Sequence, residues 1–313
     1  MKMREITRTT QGQKTMDGAG VHLIRVLGHN DVKDIDPFLM LDAFDSANPA
    51  DYVAGFPMHP HRGIETITYL VEGTIKHKDS LGNGCVIHSG EAQWMTAGRG
   101  ILHEEMPQPS PKMFGLQIWL NLPAKDKMTA PVYFDITKDM IKTVPLPEGE
   151  VRVLSGEFNG AKGVEPHNVK ATVLDVLLHP EQELSIPSNP GENLFVYVMD
   201  GEAVFGTQSP RAVPKRTAAF STEGEALAVR SGTAGARFMV FCGPPLREPI
   251  AWMGPIVMNT QKELDAAFTQ LRYGMFIAEE DARRRRALWA KSLEDVYLQP
   301  YQKEHENVRR KSN

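Results

Sequence analysis

Short runs of β-branched and aromatic residues, each stopped by a glycine-bearing turn, constrain this chain more than any other feature. Residues 65–71, 114–120, 172–178, 194–199 and 237–242 are of this kind, and such side chains suit a pleated, half-buried surface. Between them stand Glu72-Gly73, Gly82-Asn83-Gly84, Asp200-Gly201 and Glu223-Gly224, which supply the backbone freedom that tight turns need. With 26 glycines and 22 prolines spread through most of the chain, the pattern predicts an all-β sandwich or barrel architecture.

The runs also repeat. Tyr69-Leu70-Val71-Glu72-Gly73 returns 128 residues later as Tyr197-Val198-Met199-Asp200-Gly201, and Gly90-Glu91-Ala92 returns 134 residues later as Gly224-Glu225-Ala226. Order and approximate spacing are kept, as expected of a duplicated β domain. We therefore expect two β-barrel, jelly-roll-like domains over residues 1–140 and 141–277, joined near Pro145-Leu146-Pro147. A helical, charged tail is expected over 278–313. Thr260-Gln261-Lys262-Glu263 has the form of a capping box, and Leu264, Ala267, Phe268 and Leu271 follow at helical spacing. Within a second helical stretch from about residue 278 to 298, the arginines at 283–286 stand beside Glu279, Glu280 and Asp281. They read as a solvated helix face.

Composition narrows the partners. A net charge of -4 does not advertise direct binding to nucleic acid or to an anionic membrane. Cys85 and Cys242 stand alone and far apart, which is no disulfide framework and suits a reducing cytosol. The N-terminus lacks the apolar core of a secretory signal, and no run is long enough for a membrane-spanning helix. A cytoplasmic protein is the expectation.

His59-Pro60-His61 is the sharpest chemical feature. In an extended strand residues i and i+2 point the same way, so both imidazoles can face one interior. His103-Glu104-Glu105 repeats the geometry, with His103 and Glu105 on one face and Glu104 opposite. A lone strand histidine is ordinarily a hydrogen-bonded, half-buried polar residue. Two such pairs some 40 residues apart can instead close three nitrogens and one oxygen around a single ion. That donor set suits iron, copper, nickel, manganese or zinc better than calcium.

A family resemblance adds to this reading. Gly55, His59, His61, Glu65 and Gly73 are spaced like the first cupin motif, and the segment from Gly90 to His103 resembles the second. Asp36-Pro37-Phe38-Leu39, His59-Pro60-His61-Arg62-Gly63 and the run from Gln93-Trp94 to Leu102-His103 resemble the signature of the pirin family. Pro245-Leu246-Arg247-Glu248-Pro249 and the run Gly254-Pro255-Ile256-Val257-Met258-Asn259-Thr260 look like the pirin C-terminal domain. The resemblance spans about residues 20 to 275 and implies a bicupin with one divalent transition metal in the N-terminal barrel. Iron(II) is the expected ion, held by His59, His61, His103 and Glu105.

Many cupins instead draw their carboxylate from the position of Glu65. Glu65 shares strand parity with His59 and His61, but the pirin resemblance places the carboxylate ligand two residues after the last histidine, at Glu105, and leaves Glu65 as an expected hydrogen-bonding partner behind the ligands. Two functions are implied. One is quercetin 2,3-dioxygenase activity on a flavonol-like aromatic substrate, with Glu105 accepting the substrate's hydroxyl proton. The other is an iron-binding, redox-responsive regulator that acts through a protein partner. Sugar-phosphate isomerisation, also found among cupins, would need Arg62 and Arg99 as a phosphate clamp and ranks behind both.

The repeat offsets carry the metal positions onto Pro187, Asn189, Arg237 and Met239, none of which completes a site in the second barrel. His77 and His88 are expected at a hairpin surface or in hydrogen bonds, Trp94 and Met95 in the core. Cys85 is expected as an ordinary thiol, since nothing beside it would depress its pKa.

Overall fold

The computed structural model describes residues 1–166 and 168–282. It is built almost wholly of strands, in two jelly-roll-like units. In the first, a seven-stranded sheet runs Val132–Ile136, Ala92–Thr96, Ile64–Glu72, Met113–Asn121, Phe38–Ser46, Val21–Leu27 and Gln13–Asp17. Facing it is a four-stranded sheet in the order Phe56–His61, Ile101–Pro107, Thr74–Asp79 and Gly84–His88. In the second unit the two layers are continuous, because Asn193–Phe205 and Ala226–Gly243 are long enough to pass from one to the other. Bulges beside Val198 and Gly201 bend the chain there, as bulges do at barrel corners.

The expected runs all lie within strands, and the Tyr69 echo is real. Tyr69 pairs with Leu116 in the first unit as Tyr197 pairs with Met239 in the second. These four side chains share one buried cluster with Trp94, Phe195 and Phe241, so the units pack back to back through equivalent strands. The Gly90 echo is not structural. Ala92 opens the strand beside Ile64–Glu72, whereas the matching place in the second unit belongs to Thr217–Ser221, beside Asn193–Phe205.

Two exchanges tie the units together. Met3–Arg4 and Ile6–Gln11 hydrogen-bond into the second sheet, although they stand at the head of the chain. Ile6–Gln11 fills the edge place that Val132–Ile136 fills in the first unit. Conversely, residues 250–277 return to the first unit. Val257 and Trp252 join the cluster of Leu39, Ile64, Met95 and Ile101. Pro145-Leu146-Pro147 is no linker, since Lys142–Leu146 pairs with Gly149–Ser155 in the second sheet.

Thr260 caps the helix Gln261–Arg272 through the expected reciprocal bonds with Glu263. A further helical turn begins at Glu279, and the arginines at 283–286 lie outside the described residues. Among the described residues no helix is long and apolar enough to cross a membrane.

Candidate metal centre

The two cores differ in one decisive respect. The second unit is filled with apolar side chains, including Ile186, Leu194, Val196, Phe205, Leu227, Val229 and Val240. Pairing register shows what stands at these places in the first unit. Leu227 pairs with Ile186 as His103 pairs with His59; Phe205 pairs with Val229 as His77 pairs with Glu105; Val196 pairs with Val240 as Thr68 pairs with Gln117. The counterparts of His59, His103 and Glu105 are therefore Ile186, Leu227 and Val229, not Pro187, Arg237 and Met239. Bulges change the offset from strand to strand, so a constant offset misplaces them. At these three places the second unit carries buried apolar side chains.

In the first unit Phe56–His61 and Ile101–Pro107 lie antiparallel, with His103 opposite His59. Ring centroids are 4.3 Å apart for His59 and His103, and 5.0 Å for His61 and His103. One ring nitrogen from each of the three histidines lies within 4.8 Å of the other two.

Hydrogen bonding fixes two of the tautomers. His59 Nδ1 donates to the Pro57 carbonyl at 2.8 Å, and His61 Nδ1 donates to the Pro255 carbonyl at 3.0 Å. A carbonyl only accepts, so in the neutral rings both protons sit on Nδ1 and both Nε2 atoms carry lone pairs. Those Nε2 atoms face each other at 3.1 Å. Two lone pairs so placed repel unless a cation lies between their axes. Metal–nitrogen bonds of roughly 2.1 Å would let two nitrogens so close share one ion.

His103 completes the argument. It is 1% exposed, and neither ring nitrogen has a hydrogen-bond partner among the described residues. Burial, with His61, His59 and His77 adding to it, holds its pKa well below the usual histidine value. Burial and the neighbouring His59 likewise pull His61 down to about 3, against the Pro255 carbonyl. Neutral imidazoles with directed lone pairs are what a transition metal requires, and these residues fit one.

Glu105 faces the same interior, as its strand parity predicts, while Glu104 turns outward to Lys78. Its Oε1 accepts from the Thr68 hydroxyl at 2.8 Å and from the Gln93 amide. It lines the same cavity as His59 and His61, but its oxygens do not fall within the 4.8 Å grouping of the three histidines. A register shift between His103 and Glu105 sets its approach.

One expectation is corrected. Glu65 does not stand behind the histidines. It is fully buried and accepts from Trp94 Nε1, Thr96 Oγ1 and Asn168 Nδ2, the last from the second unit. Parity fails because the chain leaves one sheet at His61 and enters the other at Ile64, through Arg62-Gly63. Of the two places expected for His77 the structure shows the second: it is 1% exposed, its Nε2 lies 3.5 Å from Asp79 Oδ2, and its ring stacks on Tyr133, 5.4 Å from the His103 ring. His88 is exposed, Trp94 and Met95 are buried, and burial raises the Cys85 thiol to about 12.

The cavity above the histidines has a volume of 570 Å³. Sequence reasoning missed its walls: Gln117 and Trp119 from Met113–Asn121, and Trp252 and Pro255 from the returning C-terminal segment. Gln117 was detectable as a polar residue inside the run 114–120. Trp119 stands edge-on to His61 at 5.0 Å, and His29 stacks on Trp252 at 3.7 Å. Arg62 and Arg99 form no phosphate clamp. Arg62 donates to Gln270 and the Phe276 carbonyl, and Arg99 makes a two-pronged pair with Asp281.

Two strand-built units back to back, one carrying a histidine cluster and the other filled with apolar side chains, define a bicupin. The pirin model matches residues 20–120 and the pirin C-terminal cupin domain matches 173–277, and the chain belongs to the pirin family. It is 40% identical to a pirin-like protein of Caulobacter vibrioides over 280 residues, covering 88% of this chain and 100% of that one. With human pirin it shares 35% identity over 273 residues, covering 86% and 92%. A crystal structure described as quercetin 2,3-dioxygenase from Acinetobacter baumannii superposes with a TM-score of 0.80 at 31% identity, covering 88% of this chain and 98% of that one.

Proposed function

We propose that this chain is a metal-dependent dioxygenase of the quercetin 2,3-dioxygenase type, with one mononuclear ion held by His59, His61, His103 and Glu105. The observation that carries the reading is the pair of Nε2 lone pairs 3.1 Å apart beside His103, whose ring has no hydrogen-bond partner among the described residues, on the wall of an aromatic-sided cavity. Likeness to the Acinetobacter enzyme supports the substrate class.

When bound, a divalent transition metal, iron(II) foremost, supplies Lewis-acid and dioxygen chemistry that side chains lack. The chain's own residues do the rest. Trp119, Trp252, Phe44 and Phe56 line the cavity and suit a flat aromatic ring that presents one hydroxyl inward. Thr68 and Gln93 both bond Glu105 Oε1, which leaves Oε2 to accept that hydroxyl's proton. Apolar walls keep competing water from the reacting face.

Quercetin absorbance should decay in air with the metal-loaded protein, stop under a chelator and resume on adding the metal. Carbon monoxide release separates 2,3-cleavage from autoxidation. His61→Ala protein given the same metal should lose at least about 100-fold of the rate, in line with loss of a group that orients the reaction. Turnover equal to the wild type would assign the chemistry to free ions and favour the regulatory, partner-binding reading.

A further inference from the structure

The His61 ring is fixed by a carbonyl from almost two hundred residues away, and the structure shows what holds that carbonyl in place. Lys127 is 2% exposed. Its ammonium donates to the Gly63 carbonyl at 2.8 Å, to Asn121 Oδ1 at 2.6 Å and to the Val257 carbonyl at 2.9 Å. Gly63 lies two residues after His61, and Val257 two residues after Pro255. One cation thus pins together the two backbones whose members meet in the His61–Pro255 hydrogen bond.

The junction is built for close approach. Val257 N–H donates to the Arg62 carbonyl at 3.1 Å. A Cβ placed on Gly63, whose φ is +76°, would come within 1.9 Å of the Val257 oxygen. Burial draws the Lys127 pKa down to about 7, against the pull of Glu248 and Glu263. A residue kept at that cost is kept for its donors, because an apolar side chain of the same length would pack there without it.

We propose that Lys127 is a positioning residue for the metal site. It holds the segment around Pro255 against the Arg62-Gly63 turn, so that the Pro255 carbonyl keeps His61 in its Nδ1–H tautomer with Nε2 toward the ion. Partners of this kind orient ligands and raise their basicity. The proposal rests on the metal-site reading above, yet its first readout needs no metal.

The test compares wild type, Lys127→Met and Gly63→Ala, the last keeping the lysine but forcing the backbones apart. Val151→Ala, in the core of the second barrel, serves as a control for general destabilisation. Nitrogen-15 chemical shifts of His61 in the metal-free proteins should show one Nδ1–H tautomer in wild type and in Val151→Ala, and a mixture in both junction variants. Calorimetric titration with nickel(II) alone should give one site throughout, weakened roughly 10- to 100-fold in the junction variants and unchanged in Val151→Ala. A single Nδ1–H tautomer with unaltered nickel affinity in a folded Lys127→Met or Gly63→Ala protein would overturn the proposal. Should Lys127→Met not fold, Gly63→Ala decides. Wild type that takes up no nickel would instead defeat the metal-site reading, leaving the tautomer result to stand or fall by itself.

Discussion

Metal-free His103→Leu protein should melt above metal-free wild type and hold no transition metal. His103 lies in the interior, with no hydrogen-bond partner for either ring nitrogen among the described residues and three other imidazoles around it. An unsatisfied buried polar group costs about 1–3 kcal/mol, and leucine fills a similar volume without that penalty. At roughly 2–4 °C per kcal/mol for a domain of this size, calorimetry should record a rise of several degrees. Adding metal should reverse the order. A ligand at 100 times its Kd stabilises the folded state by about 2.7 kcal/mol, a gain open to wild type and closed to the variant. If the stripped His103→Leu protein folds but melts several degrees lower, His103 is a satisfied core histidine and the site has been misread.

Glu105→Gln and Glu65→Gln should separate cleanly, one acting on the metal and the other on stability. Glu105 faces the histidines with one oxygen held by Thr68 and Gln93. Losing its charge should weaken metal retention at least about 10- to 100-fold and abolish turnover, with little change in the melting of the metal-free protein. Glu65 accepts three side-chain hydrogen bonds where the units meet. Burial pushes its pKa up, while Asn168, Thr96 and Trp94 oppose that. An amide there turns an NH₂ group against existing donors, for a loss of about 1–3 kcal/mol with metal affinity intact. Equilibrium dialysis and thermal melts on both variants check this. Metal lost from Glu65→Gln but kept by Glu105→Gln would move the carboxylate ligand to the position many cupins use.

What could be read from the sequence follows from the range of each physical rule. Strand parity acts over two residues, so the pairs His59/His61 and His103/Glu105 were visible at once. The same rule misjudged Glu65, because four residues on from His61 the chain has already changed sheets at Arg62-Gly63. Repetition gave the duplicated fold through Tyr69 and Tyr197, yet a fixed offset could not place Leu227 or Val229, since bulges add residues unevenly along the second barrel. His77 looked like a hairpin residue, and only pairing register shows it opposite Glu105. Least legible were the long-range exchanges. Nothing local to Trp252, Pro255 or Lys127 announces that the segment near residue 255 returns to line a cavity in the first barrel.

The central claim is one ion per chain, in the first barrel only. Elemental analysis of dialysed protein measures it directly, on wild type, on Asn189→Ala in the second unit and on a His59→Ala/His61→Ala double variant. The account predicts one transition-metal ion per chain in the first two proteins and none in the third. Two ions of equal occupancy per wild-type chain, or an undiminished ion in the double variant, would contradict it.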